Sequence, residues 1–309
     1  MAYCTSSAVL FLIFNRPDTA ELVFEKIREA QPARLYLAAD GPRKARVGEA
    51  ELVAQTRKLA ERVDWPCQIK TLFRDTNLGC KYAVSQAITW FFEHEEEGII
   101  LEDDCLPAND FFRFCDELLK KYRSDTLVTQ VAGCNFQEGQ KRGEASYYFS
   151  SSLEVWGWAT WRRVWKMYDV TLQNCGEDQL ARAIEEVFGE PLVTEAYLQI
   201  FRQLKEGEID TWDYQLKFLN FIHKGLCIIP NVNLISNMGF RPDATHTVTP
   251  NGKFENLQVR ALGWPLTHPL HTSPNKEADA FMLNLEFNLN EKKRKGMSIF
   301  RRFKHWISS

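Results

Sequence analysis

The sequence predicts an α/β protein with a mostly parallel central sheet. Three observations support this prediction: continuous apolar runs of strand length, amphipathic segments of helix length, and regular alternation of the two over the first 130 residues. Strands that are buried on both faces form unbroken apolar runs, and their alternation with helices is typical of parallel β–α–β units. A chain of 309 residues has room for one large domain of this kind or two smaller ones.

The predicted elements follow one another in strand–helix order. Apolar runs predict strands at Ala8–Phe14, Leu35–Ala39, Ile69–Phe73, Gly98–Leu101 and Leu127–Ala132, and a later one at Leu226–Ile229. Apolar positions three or four residues apart predict helices at Thr19–Ala30, Glu49–Val63, Cys80–Glu93, Asp110–Tyr122, Asp178–Phe188, Val193–Glu206 and Trp212–Lys224. Repeated units of this kind predict a doubly wound, Rossmann-like sheet, whose ligands bind beyond the carboxyl ends of the strands.

Charge is distributed unevenly along the chain. The formal net charge is −3, but Glu291–Ser309 holds seven basic residues and one acid, which leaves −9 on the other 290 residues. An acidic body argues against broad nucleic-acid binding. Within the tail, apolar residues between Ile299 and Ile307 follow helical spacing and alternate with basic ones, which predicts an amphipathic helix on an anionic membrane surface. The alternatives are a helix packed on the protein's own acidic surface and a disordered end.

The cysteines and the first apolar run indicate the compartment. Eight cysteines are dispersed without a C-x-x-C pair, a pattern typical of reduced thiols in the cytosol. The run Ala8–Phe14 is seven residues long and no basic residue precedes it, so it is interpreted as a buried strand rather than a signal peptide or a membrane span. We therefore expect a cytoplasmic protein that can lie on the cytoplasmic face of the membrane through its tail.

Three consecutive acids follow the fourth predicted strand. Glu102, Asp103 and Asp104 come directly after the apolar run Gly98–Leu101. Unpaired charges at the end of a buried strand are costly unless a cation or hydrogen bonds compensate them. Clustered carboxylate oxygens suit a hard divalent ion such as Mn²⁺ or Mg²⁺. The alternative is an ordinary charged turn before the next helix.

The triplet and the residues after it, Leu106–Phe112, resemble the acidic metal motif and following helix of nucleotide-sugar-dependent glycosyltransferases with the GT-A fold. The similarity is to the N-acetylglucosaminyltransferase I group and its bacterial relatives, within the nucleotide-diphospho-sugar transferase superfamily. The resemblance spans roughly residues 8–250. It implies that Asp104 ligates Mn²⁺ (or Mg²⁺), which bridges to the donor's diphosphate, and that Glu102 and Asp103 support the ion or contact ribose and sugar.

Further positions on the nucleotide side fit the same resemblance. Phe14, Asn15 and Arg16 correspond to the first strand and turn, where Arg16 is the candidate phosphate contact; a simple helix-initiating turn before Pro17 is the alternative. Asp40, in Asp40-Gly41-Pro42, corresponds to the acid that binds uracil in relatives, although this sequence is also an ordinary turn. The resemblance places Asn77, Gly79 and Lys81 near the nucleotide, where a helix N-terminus favours an anion.

The second half is expected to bind the acceptor. Inverting transfer needs a carboxylate within hydrogen-bond reach of the acceptor hydroxyl. Asp213 resembles the Trp-Asp element that carries the base in the family, and Glu154 precedes the Gly-Trp acceptor loop; Asp213 is preferred, and a first-turn helix aspartate is its alternative. Trp158, Trp161 and Trp165 have helical spacing and are predicted to be core, whereas Trp156 is a candidate for stacking on a sugar. His246 lies in a loop resembling the segment that closes over the donor, and is a candidate metal or phosphate contact.

The sequence therefore predicts one GT-A domain over residues 1–290, with a nucleotide-sugar half (1–132), an acceptor half (133–290) and the basic tail 291–309. The predicted function is metal-dependent inverting transfer of a sugar, with UDP-GlcNAc or a similar UDP-sugar as donor and a glycan or lipid-linked hydroxyl as acceptor. Two alternatives stay open: a sugar-nucleotide nucleotidyltransferase, and a catalytically silent sugar-binding scaffold of the same fold.

Overall fold

The computed structural model describes residues 3–240 and 257–295. These ranges contain ten strands: β1 (Ala8–Ile13), β2 (Arg34–Ala39), β3 (Gln68–Phe73), β4 (Glu97–Glu102), β5 (Cys105–Pro107), β6 (Val128–Ala132), β7 (Tyr147–Ser150), β8 (Trp158–Trp161), β9 (Leu226–Pro230) and β10 (Ile235–Asn237). Eight of them form the central sheet, in the order β3-β2-β1-β4-β8-β6-β9-β7. Strands β5 and β10 form a separate antiparallel ribbon.

Most pairings in the central sheet are parallel. Strand β1 pairs in parallel with β2 and β4, β2 with β3, and β6 with β9, whereas β8 and β7 run antiparallel to their neighbours. Helices flank the sheet: α1 (Pro17–Ala30), α2 (Glu49–Arg57), α3 (Gly79–His94), α4 (Asn109–Lys121), α5 (Arg162–Trp165), α6 (Glu177–Phe188), α7 (Pro191–Lys205), α8 (Asp213–Ile222), α9 (Lys276–Phe287) and α10 (Leu289–Lys295). The predicted α/β class, with a Rossmann-like and mostly parallel sheet flanked by helices, is confirmed.

The unbroken apolar runs are explained by two cores, one on each face of the sheet. Along β1, Val9, Phe11 and Ile13 enter the core beneath α1 and α4, while Ala8, Leu10 and Leu12 enter the core beneath α3. Because alternate residues of a strand point to opposite faces, both sets must be apolar. A third cluster joins α6, α7, α8 and α9.

One predicted helix differs from the structure. The segment 49–63 is not continuous: α2 ends at Arg57 and a 3-10 helix follows at Lys58–Arg62. Leu52 is exposed, and the buried residues of the two helices are Glu49, Val53, Thr56 and Leu59. Leu59, a predicted core residue, reaches the core from the tighter 3-10 turn.

The tryptophan cluster is buried as predicted, but its helical periodicity was the wrong interpretation. Trp158 and Trp161 are the ends of strand β8, and only Trp165 lies in a helix, the short α5. Positions three apart on a strand face opposite sides, so Trp158 joins the core beneath α3 and Trp161 joins the core beneath α4. Large aromatic residues in a central strand produced a pattern that resembles a helix.

In the parts of the chain that the structure describes, no helix is long and apolar enough to cross a membrane. The basic stretch starts inside α10, where Lys293 forms an ion pair with Glu190 at the start of α7. Residues 296–309, which carry the predicted amphipathic pattern, lie outside the described residues, so their membrane association stays a prediction.

Candidate functional site

A cavity of about 250 Å³ lies beyond the carboxyl ends of β1, β2 and β4. This is the place where open α/β sheets bind their ligands. The floor is apolar and comes from strand ends and helix α3, with Leu12, Ala38, Ala83, Val84 and Ala87. The rim is charged and includes the end of β4, the loop after β1 and the loops after β2 and β3.

The carboxylate triplet forms one wall of the cavity. Asp103 and Asp104 are only 8% and 7% exposed. The guanidinium of Arg16 lies between them: its Nη1 is 2.7 Å from Asp104 Oδ2 and 3.6 Å from Asp103 Oδ1. The backbone N–H of Phe14 donates to Asp103 Oδ2 at 3.0 Å. This geometry follows from the parallel pairing of β1 and β4, which sets Leu12 beside Glu102 and so brings the two following loops together.

The charges of the triplet are incompletely compensated. Burial raises the pKa of Asp103 to about 7, against the opposing effect of Arg16. The pKa of Glu102 is raised well above its usual range by burial and by the neighbouring charges of Asp104 and Asp103. Three clustered carboxyl groups with one guanidinium among them favour any additional cation that reaches the wall.

The antiparallel ribbon ties the wall to the second half of the chain. The N–H of Met238 donates to the carbonyl of Asp104 at 2.8 Å. Gly239 passes so close to the Asp104 carboxylate that a Cβ on it would overlap Oδ2. The segment that contains His246 therefore leaves the described structure near Asp104, at Phe240, while His246 itself lies outside the described residues.

Asp40 holds two loops together at the opposite side of the cavity. Its carboxylate accepts N–H groups from Gly41 (2.9 Å), Leu78 (2.9 Å) and Gly79 (3.2 Å), so it caps the beginning of α3. The amide of Asn77 donates to the Gly41 carbonyl at 2.8 Å. Gly41 packs against the backbone of Thr76 so closely that no Cβ fits. The Asp40-Gly41 turn is thus built for close approach of the loops after β2 and β3.

The N-terminus of α3 carries a second carboxylate that the sequence did not indicate. Asp210, more than one hundred residues away in the chain, accepts the N–H groups of Cys80 at 3.0 Å and Lys81 at 3.1 Å. The anion expected at this helix end is therefore a protein side chain, which complements the partial positive charge of the helix terminus. The ammonium group of Lys81 lies over the ring of Tyr82, 5.6 Å from its centroid.

Two arginines of the cavity were missed in the sequence. Arg74 follows β3 directly and acts on the charge of Asp40, and Arg43 lies in the loop after β2. The guanidinium of Arg43 is fixed by the buried carboxylate of Glu49, with Nε 3.0 Å from Oε1, and Asn15 donates to the same carboxylate at 2.9 Å. The available signal was position: both arginines follow strand ends, where the ligands of such sheets bind.

The candidate bases lie outside the cavity lining, in the second half of the chain. Asp213 begins α8 and accepts a hydrogen bond from the hydroxyl of Thr211. The preceding Trp212 stacks on Trp158 with ring centroids 5.7 Å apart, which fixes the start of the helix. The charge of Asp213 acts on both Glu102 and Glu154 and opposes the ionisation of each. Burial raises the pKa of Glu154 to about 8.

The ring proposed for sugar stacking is engaged in aromatic packing. Trp156 contacts Phe136 edge-on, with centroids 4.9 Å apart, and Phe240 edge-on at 5.7 Å. Phe240 is the last described residue before the unassigned segment 241–256. Trp156 therefore packs against both of these rings.

The side chains of the wall supply only some of the ligands that a divalent cation needs. The triplet offers carboxylate oxygens, which hard cations prefer. However, the described residues contain no group of three or more His, Cys, Asp or Glu side chains arranged to hold a metal ion, and Asp104 Oδ2 already accepts from Arg16. The wall therefore fits an ion that reaches it together with substrate phosphate oxygens, as Mg²⁺ often does, rather than a complete protein cage.

The cavity brings together most of the residues that the sequence singled out. Its lining includes Phe14, Asn15, Arg16, Asp40, Asn77, Gly79, Glu102, Asp103 and Asp104. The side chain of Lys81 and the two candidate bases Asp213 and Glu154 are not part of the lining.

No protein-family profile matches the chain. No curated protein matches it. The apo form of a UDP-glucose pyrophosphorylase is 8% identical with a TM-score of 0.37, over 74% of this chain and 93% of that chain. A UDP-glucose pyrophosphorylase in complex with UDP-glucose is 10% identical with a TM-score of 0.34, over 52% and 78%. A cytidylyltransferase from Leptospira borgpetersenii serovar Hardjo-bovis (strain JB197) is 10% identical with a TM-score of 0.33, over 52% and 63%.

These three structures are nucleotidyltransferases rather than glycosyltransferases. Similarity at this level does not identify a reaction. A functional assignment therefore rests on the side chains of the cavity and of the second half of the chain.

Proposed function

We propose that the chain is a nucleotide-sugar-dependent transferase that moves a sugar from a UDP-sugar, with UDP-GlcNAc as first candidate, to an acceptor hydroxyl of a glycan or lipid-linked glycan. One observation carries the proposal. The cavity at the carboxyl ends of β1, β2 and β4 combines an apolar floor with a wall of three carboxylates and Arg16. A nucleotide sugar has matching parts: a flat base, hydrogen-bonding ribose and an anionic diphosphate.

The two sides of the cavity suit the two ends of a nucleotide. Asp40 and Arg74 flank the apolar floor made by Ala38 and Ala83, and provide an acceptor and a donor for the edge of a base. On the other side, Arg16 provides a guanidinium, which pairs well with phosphate oxygens. In this orientation the diphosphate lies near Asp103 and Asp104, which requires a cation between the like charges.

A divalent cation held by Asp104, with support from Asp103 and Glu102, would stabilise the negative charge of the departing nucleoside diphosphate. The chain's own groups have separate tasks. Arg16 contacts the phosphate oxygens, and the apolar floor excludes water from one face of the base. His246 is a further candidate contact of the ion or phosphate, in the segment outside the described residues.

Asp213 is the proposed base. It is the first residue of α8, and its oxygen is oriented by the Thr211 hydroxyl. Glu154, with its pKa raised to about 8 by burial, holds a proton at neutral pH and is the weaker candidate. The proton of the acceptor hydroxyl would pass to Asp213 as the oxygen attacks the sugar.

Nucleotidyl transfer is the second candidate. Three arginines, Arg16, Arg43 and Arg74, line the cavity, and this concentration of positive charge also suits the triphosphate of a nucleotide. Against it, the loop Asn15–Asp18 is not a glycine-rich phosphate loop. Nucleotidyl transfer is the reaction class of the three similar structures, but their similarity to this chain is too low to identify its reaction.

Ligand binding followed by product identification tests these alternatives. Unfolding temperature is measured with UDP-, GDP- and CMP-sugars and with UTP, each with and without Mn²⁺. Products are then measured as UDP released from the UDP-sugar, and as pyrophosphate released from UTP with a sugar 1-phosphate. Asp104→Asn is the test variant, and Asp178→Asn, which changes an exposed aspartate of α6, is its matched control.

Glycosyl transfer predicts Mn²⁺-dependent stabilisation by a UDP-sugar and slow UDP release even with water as acceptor, both lost in Asp104→Asn and retained in Asp178→Asn. Pyrophosphate release would establish nucleotidyl transfer instead. Binding without either product, unchanged by Asp104→Asn, would support the silent sugar-binding scaffold. Stabilisation by no ligand in the panel would refute the assignment of the cavity.

A further inference from the structure

A buried ion pair lies behind the candidate base in the acceptor half. Lys217 Nζ is 3.4 Å from Glu286 Oε1, and the two residues are 8% and 3% exposed. Glu286 also accepts hydrogen bonds from Tyr197 at 3.1 Å and from Tyr214 at 3.4 Å. Helix α9 thus holds Lys217 from one side, and the ammonium group lies 5.3 Å from the centroid of the Tyr214 ring.

Lys217 is positioned to act on both candidate bases. It follows Asp213 by four residues on α8, so the two side chains occupy the same face of the helix. Glu154 approaches from the segment between β7 and β8, and Lys217 is the cation that favours its ionised form. Asp213 and Glu286 oppose ionisation of Glu154. Three carboxyl groups therefore share the influence of one ammonium group.

The other titratable groups facing Glu154 are neutral at physiological pH. Burial raises the pKa of each thiol and phenol in this set: Cys134, Tyr148, Tyr197, Tyr214 and Cys227. In the described part of the chain, the Glu154 carboxyl group has no hydrogen-bond partner, although its own N–H donates to Gln130. Burial is the main cause of the raised pKa of Glu154, and Lys217, Glu286 and Asp213 are the charged groups that modify it.

Stability alone does not explain why a buried ion pair lies behind the candidate base. Replacing a buried pair by apolar residues is often neutral or stabilising, because desolvation of the charges offsets their attraction. The Lys217–Glu286 pair is placed where its charge acts on carboxyl groups that face the acceptor side.

We infer that Lys217, fixed by Glu286 on α9, is a positioning residue whose charge acts on the two candidate bases, Asp213 beside it on α8 and Glu154 between β7 and β8. The part that concerns Asp213 rests on the proposed glycosyl transfer. The part that concerns Glu154 does not, because its protonation can be measured without any reaction.

Three variants separate an electrostatic role from a structural one. Lys217→Met removes the positive charge, so the rising limb of the profile of kcat/KM against pH should move to higher pH by about one unit. Glu286→Gln keeps an acceptor oxygen for one of the two tyrosines but removes the negative charge, so the limb should move to lower pH. In the double variant the two charges are removed together, and the limb should return close to its original position.

Carboxyl ¹³C NMR provides the readout that is independent of activity. The Glu154 signal is identified by its loss in Glu154→Gln, and in the unmodified chain it should titrate near pH 8. It should titrate higher in Lys217→Met and lower in Glu286→Gln. If the NMR midpoints move as stated but no glycosyl transfer occurs, the proposed function fails and the role of Lys217 toward Glu154 stands. Midpoints that stay unchanged, or that move in the same direction in both single variants, would overturn the inference.

Discussion

Arg16 Nη1 donates to Asp104 Oδ2 at 2.7 Å, and this hydrogen bond joins the loop after β1 to the end of β4 across the mouth of the cavity. The hydrogen bond holds the positively charged guanidinium of Arg16 against the carboxylates when no ligand is present. Binding of a diphosphate with its own cation would compete for both partners. The same contact therefore influences stability, its dependence on pH, and ligand binding.

The first prediction concerns stability and pH. The pKa of Asp103 is raised to about 7 by burial, so the folded state binds this proton more tightly than the unfolded state, in which the pKa is near 4. The resulting stabilisation is complete below about pH 4 and is lost as the pH rises through about 7. Since one pKa unit corresponds to about 1.4 kcal/mol, we expect this group to lower the free energy of unfolding by about 4 kcal/mol over that interval. Urea denaturation at several pH values measures it.

Two variants isolate this contribution from other titrations. Asp103→Asn should make the free energy of unfolding depend less on pH. Arg16→Ala should make it depend more on pH, because Arg16 lowers the pKa of Asp103. Asp178→Asn is the control and should follow the unmodified chain. The same slope in Asp103→Asn and in the unmodified chain would show that Asp103 does not titrate in this range.

The second prediction concerns the close approach of two loops at the cavity. Gly41→Ala should lower the free energy of unfolding by about 1–3 kcal/mol, because the new Cβ would overlap the backbone of Thr76 and force the loops apart. The same movement should weaken donor binding, since Asp40 and Asn77 hold these loops. Gly263→Ala is the matched control, because no atom lies within 4 Å of its added Cβ. Chemical denaturation and isothermal titration calorimetry measure the two effects, and equal behaviour of the two variants would contradict the steric argument.

The architecture could be predicted because its signals are local and repeated. Strands such as β1 and β4 are buried on both faces, so their apolar runs are unbroken, and the acids at 102–104 mark the strand end where the cavity lies. Strand β8 could not be predicted in this way, since its two tryptophans serve opposite cores and imitate a helical stripe.

Contacts between residues far apart in the chain could not be predicted from the sequence. Nothing near Asp210 indicates that it caps α3, and nothing near Lys217 indicates that its partner is Glu286 on α9. Each of these contacts depends on how helices from distant parts of the chain pack. The resemblance to glycosyltransferases placed Asp40 beside the nucleotide, but its task of joining two loops through three backbone N–H groups became visible only in the structure.

The third prediction follows from the cap that Asp210 provides. Asp210→Ala should lower the free energy of unfolding by about 1 kcal/mol, a reduced value because the residue is exposed. It should also accelerate hydrogen exchange at the amides of Cys80 and Lys81, which donate to its carboxylate. Asp178→Ala removes an exposed aspartate from the first turn of α6 and should leave those two amides unchanged. Unaltered protection in Asp210→Ala would mean that the α3 terminus is satisfied by other groups.

The fourth prediction concerns the basic tail. Deletion of residues 296–309 should abolish sedimentation with vesicles rich in anionic lipid while leaving the unfolding temperature unchanged, because an amphipathic basic helix binds through apolar burial and attraction to anionic lipid. Replacement of Arg301, Arg302 and Lys304 by Gln should reduce binding and its salt dependence. Vesicles of neutral lipid are the control. Retained binding after the deletion would assign the interaction to another surface.

The fifth prediction distinguishes the two candidate bases. Asp213→Asn should lower kcat by about 100- to 10,000-fold, the usual contribution of a general base, while the dissociation constant of the donor stays within about twofold. Asparagine keeps the shape of the side chain and an acceptor for the Thr211 hydroxyl. Rapid quench of product formation and calorimetry of donor binding measure the two quantities. Glu154→Gln is the matched control: it retains an N–H donor where Glu154 is protonated at neutral pH, so its kcat should fall less. If Glu154→Gln showed the larger loss, the base would be Glu154, and the activity of the unmodified chain should then rise through about pH 8 as that carboxyl group ionises.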